Sequence, residues 1–197
     1  MKHAKRAIRF IAVILIALAF TACVEVEMMP RVTGSVSISG TAQVGQPLTA
    51  NTERLGSSGS ISYQWRRGTT NVGTNSSNYT VNFNDVGSSI TVTVTRSGNT
   101  GSVTSAKTAV VTLPALTGSV SISGTAQVGQ TLTVDTWNLG GSGTISYQWR
   151  RGGNWGTIVG TNWNYTVESA DVGSSITVTV TRSGYAGSVT SETAIIW

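Results

Sequence analysis

The stretch ISYQWRRG, residues 61–68, decides the fold, and it returns unchanged as residues 145–152, 84 positions later. Its residues alternate in character, so Ile61, Tyr63 and Trp65 fall on the same face of an extended chain. A large apolar side chain at every second position is typical of a strand that is buried on one side only. The stretch therefore predicts a half-buried strand that directs a tryptophan into a core, once in each half of the chain.

Longer duplicated stretches surround this strand. TGSVSISGTAQVGQ at residues 33–46 recurs from residue 117, and DVGSSITVTVTRSG at residues 85–98 recurs from residue 171. The offset between the copies grows from 84 to 86, because two residues are inserted between Arg151 and Tyr165. Repeats of about 80 residues are large enough to be self-sufficient domains, unlike solenoid units of about 20–50 residues.

The duplication predicts a first domain at residues 34–113, a linker at residues 114–117 and a second domain at residues 118–197. Each copy contains about seven short strands separated by Gly-rich turns, and no helical period is present. The clearest strand is the alternation of Val and Thr that follows Ile90, and a last strand is expected from about Val103 to Thr112. The polar stretch 68–78 is interpreted as a loop. This pattern predicts an all-β protein made of two tandem β-sandwiches.

Four motifs appear in the same order in both copies: Val-Gly-x-x-Leu, Tyr-x-Trp, Tyr-x-Val and Asp-Val-Gly before a β run. In this order they resemble the immunoglobulin-like (Ig-like) repeats of bacterial cell-surface proteins. The resemblance implies two Ig-like sandwiches with Trp65 packed between the sheets. The chain departs from the Ig pattern because it lacks the cysteine pair, and Ala50 and Val92 are the expected occupants of those inward positions.

The N-terminus has the pattern of a secretory signal peptide. Residues 1–9 are basic, and the apolar run that follows has about thirteen residues, too few to span a bilayer comfortably as a helix. Phe20-Thr21-Ala22-Cys23 resembles the bacterial lipobox, which implies cleavage before Cys23 and attachment of diacylglycerol to its thiol. The alternative is cleavage after Ala19, which leaves a free thiol on a secreted protein.

These features predict a lipoprotein signal peptide at residues 1–22 and a tether at residues 23–33. Lipidated Cys23 would hold the protein on a membrane, since each buried methylene of an acyl chain contributes about 0.8 kcal/mol. The predicted location is therefore the bacterial cell envelope, with a lipid anchor in the outer membrane or at the cell surface.

The charge of the mature chain is nearly balanced. Four of the thirteen Lys and Arg residues lie in the first nine positions, so nine remain past residue 22 against eight acidic residues. A chain without a basic stripe is a poor ligand for a phosphate backbone, and we expect no nucleic-acid partner.

The composition also argues against catalysis. The only histidine is His3 and the only cysteine is Cys23, so the two repeats lack any imidazole or thiol. Ser-His-Asp and Cys-His catalysis and ordinary zinc sites need those groups. Asp85 and Asp171 precede Val-Gly at turns, where such side chains commonly accept backbone N–H groups. We expect no enzyme activity, no cofactor and no metal.

The two copies differ most in their aromatic residues. Trp137 replaces Glu53 of the first copy, Trp163 replaces a serine, Tyr185 replaces an asparagine, and Trp155 lies in the inserted loop. Tryptophan and tyrosine are enriched at binding hot spots, so these four residues are the candidate binding site for a protein or carbohydrate ligand. The alternative interpretations are sequence drift without a function and packing of the longer loop onto its own sheet.

Two functions remain open at this point. One is adhesion or ligand binding by a displayed pair of modules, and the other is a structural spacer or envelope-assembly component without a ligand of its own. Binding predicts that Trp137, Trp155 and Trp163 form one exposed cluster, whereas scattered or buried tryptophans would leave the spacer hypothesis standing.

Overall fold

The computed structural model describes residues 28–191 and 194–197. The predicted signal peptide, Cys23 and residues 24–27 of the predicted tether lie outside the described residues. Among the described residues, no helix is long and apolar enough to cross a membrane.

The regular structure of the first repeat consists of short strands joined by turns and loops, with one 3-10 turn at Phe83–Asp85. Its strands are β1 (Ser37–Gly40), β2 (Pro47–Asn51), β3 (Ile61–Arg67), β4 (Thr70–Val72), β5 (Asn78–Thr80), β6 (Ile90–Arg96) and β7 (Val103–Thr104).

The second repeat has the same order of elements, with a 3-10 turn at Ser169–Asp171. Its strands are β8 (Ser121–Ser123), β9 (Thr131–Asp135), β10 (Ile145–Arg151), β11 (Thr157–Gly160), β12 (Asn164–Thr166), β13 (Ser175–Arg182), β14 (Val189–Thr190) and β15 (Ala194–Ile195).

Each repeat forms two antiparallel sheets. In the first repeat the strand orders are β1-β2-β5 and β4-β3-β6-β7, and in the second they are β8-β9-β12 and β11-β10-β13-β14, with β15 also paired to β13. The registers of the central pairs match between the copies, since Trp65 lies opposite Val92 and Trp149 lies opposite Val178. The side chains between the sheets therefore meet in the same arrangement twice.

The core of each sandwich is centred on the predicted tryptophan. Trp65 is fully buried, its ring stacks on Tyr79 with centroids 5.6 Å apart, and its indole N–H donates a 2.8 Å hydrogen bond to the carbonyl of Ser76. Removing a buried ring of this size typically costs about 3–5 kcal/mol. Ala50 and Val92, the expected occupants of the inward cysteine positions, are both buried in the same core. Apolar side chains fill the core at both places.

The buried residues fall into two clusters, one per repeat. The first runs from Val32 to Val111 and the second from Leu116 to Ile196. Two packed antiparallel sheets around a tryptophan of the third strand define an Ig-like sandwich. The predicted fold class, all-β with two tandem Ig-like sandwiches, is confirmed.

The chain enters each sandwich at one end and leaves it at the other. In the second copy Ala115 forms a bridge to Ala186, and Trp197 donates its backbone N–H to Ala126 at the opposite end. These ends are called the N-terminal end and the C-terminal end below. In the first copy Arg31 likewise bridges to Thr100, so part of the predicted tether contacts the sandwich that follows it. The domain limits given above stay predictions.

Several details differ from the expectations. The predicted loop 68–78 contains β4, which was missed because three polar or aliphatic residues carry no readable alternation. The last strand was expected from Val103 to Thr112 and is regular only over Val103–Thr104. Beyond it the chain bonds alternately to both sheets, since Val111 donates to Ser88 and Thr112 donates to Ala42.

Candidate ligand-binding groove

Trp137 and Trp163 line one groove at the N-terminal end of the second sandwich. The groove has a volume of about 510 Å³, and its lining also includes Ser123, Thr133, Val134, Asp135 and Thr136. The side chains of Trp137 and Trp163 are 92% and 57% exposed. Two of the four predicted ligand-binding residues are therefore brought together, although they are 26 positions apart in the sequence.

The backbone on both sides of Trp163 is held in place. Its carbonyl accepts a 3.1 Å hydrogen bond from the N–H of Val134 in β9. The carbonyl of the preceding residue, Asn162, accepts the 2.8 Å indole N–H bond of the core residue Trp149. The exposed indole of Trp163 is thus carried by a backbone that is tied to the core.

Trp137 is carried by a tight turn at the end of β9. Its backbone N–H donates a 2.9 Å hydrogen bond to Oδ1 of Asp135, which is an Asx-turn. Leu139 then donates its N–H to the carbonyl of Thr136 at 3.0 Å, and its side chain is buried in the core. The turn fixes the backbone on both sides of the ring and leaves the ring in solvent.

The floor of the groove is polar. It is the outward face of the sheet β8-β9-β12, where Ser123 lies opposite Thr133 and their hydroxyl groups are 2.7 Å apart. Asp135 is exposed and projects from the same face. Among the lining residues Asp135 is the only ionisable one. The groove therefore combines two aromatic rings with hydroxyls and one carboxylate.

The first sandwich has a groove that overlaps this place only in part and has different chemistry. It has a volume of about 350 Å³ and is lined by Ser35, Ser37, Asn51, Glu53 and Arg54. By repeat alignment Asn51 and Glu53 correspond to Asp135 and Trp137. Only these two positions are common to both linings, and the aromatic rings distinguish the second copy.

Trp155 lies at the C-terminal end of the second sandwich, away from the groove. It sits in the turn between β10 and β11, where Arg151 pairs with Thr157, and its side chain is 97% exposed. From Thr157 the strand β11 runs about 13 Å, four residues at about 3.3 Å each, before the chain approaches Trp163. The expected cluster of three tryptophans is therefore not formed, and only two of them share a surface.

Tyr185 has a local packing role. Its ring packs against Gly141 and the core, and its hydroxyl oxygen accepts a 3.3 Å hydrogen bond from the N–H of Ser142. It is absent from the lining of the groove. Tyr185 therefore packs locally within the second domain and takes no part in the groove.

A buried polar network at the C-terminal end was only partly anticipated. The carboxylate of Asp171 is fully buried, accepts the N–H of Glu168 at 2.7 Å and the Tyr165 hydroxyl at 2.7 Å, and forms an ion pair with Arg151. The backbone bond was expected from the sequence, whereas the tyrosine and arginine partners were not. A Tyr lies six residues before the Asp in both copies, and this spacing is the signal that could have indicated the pair.

The network changes the acidity of its members. Burial opposes ionisation of Asp171, but hydrogen bonds from Tyr165, the Glu168 N–H and Arg151 outweigh it and hold the pKa of Asp171 below its ordinary value. Burial and the adjacent carboxylate raise the pKa of Tyr165 to about 12. Each ionisable group is thus kept in one charge state near neutral pH, which suits a structural role.

The first copy has the same arrangement. The Tyr79 hydroxyl donates a 2.6 Å hydrogen bond to Asp85, whose other oxygen lies 3.3 Å from Nη1 of Arg67. Burial, followed by the bond to Asp85, raises the pKa of Tyr79 far above its ordinary value. Within residues 28–191 and 194–197, no group of three or more His, Cys, Asp or Glu side chains is placed to hold a metal ion.

No protein-family model matches the chain, and no curated protein matches it either. Among solved structures it is similar to the three N-terminal domains of the bacteriophage RB49 highly immunogenic outer capsid protein (Hoc), at 19% identity and a TM-score of 0.37, over 81% of this chain and 59% of that chain.

It is also similar to the tandem Ig repeats of Dlar, at 14% identity and a TM-score of 0.27, over 85% of this chain and 96% of that one. Titin domains I67–I69 match at 14% identity and a TM-score of 0.28, over 85% of this chain and 64% of that one. Such similarities assign no ligand and no activity to this chain.

Proposed function

We propose that this protein is a non-catalytic, lipid-anchored bacterial cell-surface protein whose tandem Ig-like modules serve adhesion or ligand binding. The observation that carries the binding role is the groove between Trp137 and Trp163. Tryptophan is among the residues most enriched at binding hot spots, and here a fixed backbone presents two exposed tryptophans to one groove. A site that is held in place before binding loses less conformational entropy when the ligand arrives.

The two modules have different roles in this proposal, because their exposed side chains differ. The first sandwich carries Glu53 where the second carries Trp137, so the first module acts as a spacer and the second as the binding module. Since the chain enters each sandwich at one end and leaves at the other, the two modules extend the chain away from its anchor. Lipidated Cys23 supplies the anchor in this proposal.

The binding role is tested on arrays that carry glycans and extracellular proteins. The purified protein should bind at least one class of ligand, and the double variant Trp137→Ala, Trp163→Ala should not. Trp155→Ala is the matched control, because it removes an equally exposed tryptophan from the other end of the same domain. Equal binding by the double variant and the control would remove the groove from the proposal.

The anchor is tested separately. Cys23→Ala should abolish labelling with a radioactive or alkyne fatty acid and move the protein from the membrane fraction to the soluble fraction. Labelling that persists in the variant contradicts the lipid anchor. It does not bear on the binding role of the groove.

A structural spacer without a ligand is the second candidate. The position of Trp155 favours it, since the three tryptophans do not form one cluster. A spacer requires both modules to be interchangeable. A chain with two copies of the first repeat should then complement loss of the gene as well as the natural chain does, whereas the binding proposal predicts that it fails.

A further inference from the structure

We infer that the ligand of the groove is a neutral carbohydrate chain, held between Trp137 and Trp163 with its hydroxyl groups bonded to Asp135. This inference rests on the proposed binding role and names the chemical class of the ligand. It follows from three properties of the groove: the area of its aromatic surface, the charge of its lining and the hydrogen-bonding character of its floor.

The first property is area. A tryptophan side chain offers about 150–250 Å², so the exposed fractions of Trp137 and Trp163 present roughly 200–400 Å² of aromatic surface together. A stable contact between folded proteins needs about 800 Å² on each partner. The groove is therefore too small to hold a folded protein through its tryptophans alone. Its volume of about 510 Å³ falls in the range of about 300–1,000 Å³ that is usual for small-ligand sites.

The second property is charge. Asp135 is the only ionisable residue of the lining, and no lysine or arginine belongs to it. An anionic ligand such as a nucleotide, a phosphorylated lipid or an acidic polysaccharide would meet one negative charge and no positive charge. Like charges at close range are repelled, so a neutral ligand is favoured.

The third property is the mixture of flat apolar walls and hydroxyl-rich floor. A pyranose ring has the matching surfaces, because its axial C–H groups form an apolar face and its hydroxyls lie around the edge. The indoles of Trp137 and Trp163 accept the apolar faces. Asp135, which is an acceptor only, takes hydrogen bonds from sugar hydroxyls, and the hydroxyls of Ser123 and Thr133 both donate and accept.

A comparison with the first sandwich identifies the side chains that are specific to the groove of the second. Residues Ser39, Thr49 and Thr52 of that copy correspond to Ser123, Thr133 and Thr136, so the same hydroxyl-bearing residues occur in both copies, but in the first copy they do not line the groove. The second copy differs by having both indoles and a carboxylate in place of an amide. We therefore expect the first sandwich to bind no sugar, and one binding site per chain.

The test is a titration of the purified protein with cellohexaose, mannohexaose, chitohexaose and oligogalacturonate, followed by isothermal calorimetry and by tryptophan fluorescence. At least one neutral hexasaccharide should bind with a stoichiometry of one, and oligogalacturonate should bind more weakly than the neutral sugars. Trp137→Ala and Trp163→Ala should each weaken binding at least about tenfold, the usual effect of losing a hot-spot tryptophan.

Two controls make the result specific. Trp155→Ala should leave the affinity unchanged. Asp135→Asn keeps an oxygen that can accept the Trp137 N–H, so the turn survives while the charge is lost, and sugar affinity should fall. All variants are first checked for an unchanged far-ultraviolet circular dichroism spectrum.

The outcomes separate this inference from the proposed function. If no neutral sugar binds at millimolar concentrations, the carbohydrate inference is overturned. If a peptide or protein on the arrays binds the natural chain but not the double tryptophan variant, the groove stands as a binding site and only its ligand class is wrong. If a sugar binds equally to the natural chain and the double variant, both the inference and the groove are overturned.

Discussion

The hydroxyl of Tyr165 donates a 2.7 Å hydrogen bond to Oδ2 of Asp171, a fully buried carboxylate that is also paired with Arg151. The same tyrosine stacks on Trp149, with ring centroids 5.6 Å apart. One side chain thus joins the apolar core to the 3-10 turn at Ser169–Asp171. The turn is held by a specific pair of polar groups in addition to apolar packing.

Replacing Asp171 should therefore be costly for stability. Asp171→Asn leaves Arg151 without its buried partner and weakens the bond from Tyr165, and we expect a loss of about 2–4 kcal/mol in the free energy of unfolding. Urea denaturation measures it. Asp135→Asn, at an exposed position, is the control and should change stability by less than about 0.5 kcal/mol. Equal effects of the two substitutions contradict the role assigned to the network.

The pH dependence of stability follows from the lowered pKa of Asp171. In the unfolded chain the carboxyl titrates near pH 3.9. Because the folded state holds the ionised form more tightly, its contribution is fully present above about pH 4 and is lost as the pH falls through the lower, folded-state pKa. The natural chain should lose stability on acidification below about pH 4. Asp171→Asn should lose less over the same interval in urea titrations, and parallel curves would count against this prediction.

Two glycines with left-handed backbone conformations give a matched pair. Gly118 has φ +96°, and a β-carbon there would collide with the carbonyl oxygen of Asn138, whereas Gly129 has φ +81° and open space around it. Gly129→Ala should cost about 1–2 kcal/mol, the usual penalty of this conformation for an L-residue. Gly118→Ala should cost more, because the backbone must also move apart. Thermal unfolding of the two variants measures which substitution destabilises the protein more.

The exposed tryptophans should contribute little to folding. Trp137 and Trp155 are 92% and 97% exposed, so replacing either with alanine should change the free energy of unfolding by no more than about 0.5 kcal/mol. Trp149→Ala, which empties the core, should cost about 3–5 kcal/mol. A large loss of stability in Trp137→Ala would mean that its ring supports the fold, and effects of that variant on binding would lose their meaning.

The groove should also be transferable to the first repeat. Asn51→Asp, Glu53→Trp and Ser77→Trp together copy the three side chains that distinguish the second groove onto a floor that already has the same hydroxyls. The triple variant should bind two ligand molecules per chain where the natural protein binds one. Calorimetric stoichiometry measures this, and a folded triple variant that still binds one would show that these side chains are not sufficient.

The strand that contains Trp65 could be predicted together with its buried face, because alternation is a local property and the repeat displays it twice. The exposure of Trp137, Trp155 and Trp163 was also readable, since the first copy is polar or lacks a residue at those places. The sequence did not show which of these tryptophans lie on the same surface. Trp137 and Trp163 share a groove because β9 and β12 pair with Asn164 opposite Thr133, and that pairing is tertiary.

The contacts of the buried polar network could also be predicted only in part from the sequence. The sequence suggested that Asp171 accepts a nearby N–H group, which depends on residues three positions apart. Its pairing with Arg151 joins residues 20 positions apart and depends on the pairing of β10 with β13 in one sheet. The six-residue spacing from Tyr165 to Asp171 was present in both copies, but a tyrosine near a turn has many possible partners.

The strand pairs β3–β6 and β10–β13 have the same register, so each of these strands has two possible pairing partners during refolding. The strand at Ile61–Arg67 can pair with the strand that contains Val178 as well as with its own partner, because the paired residues are identical in both repeats. Only loop closure separates the two outcomes, since the correct partner is nearer along the chain. Fast dilution from denaturant should therefore trap a fraction of molecules with strands exchanged between neighbouring repeats, a hazard that chain order during synthesis reduces by completing the first repeat before the second emerges.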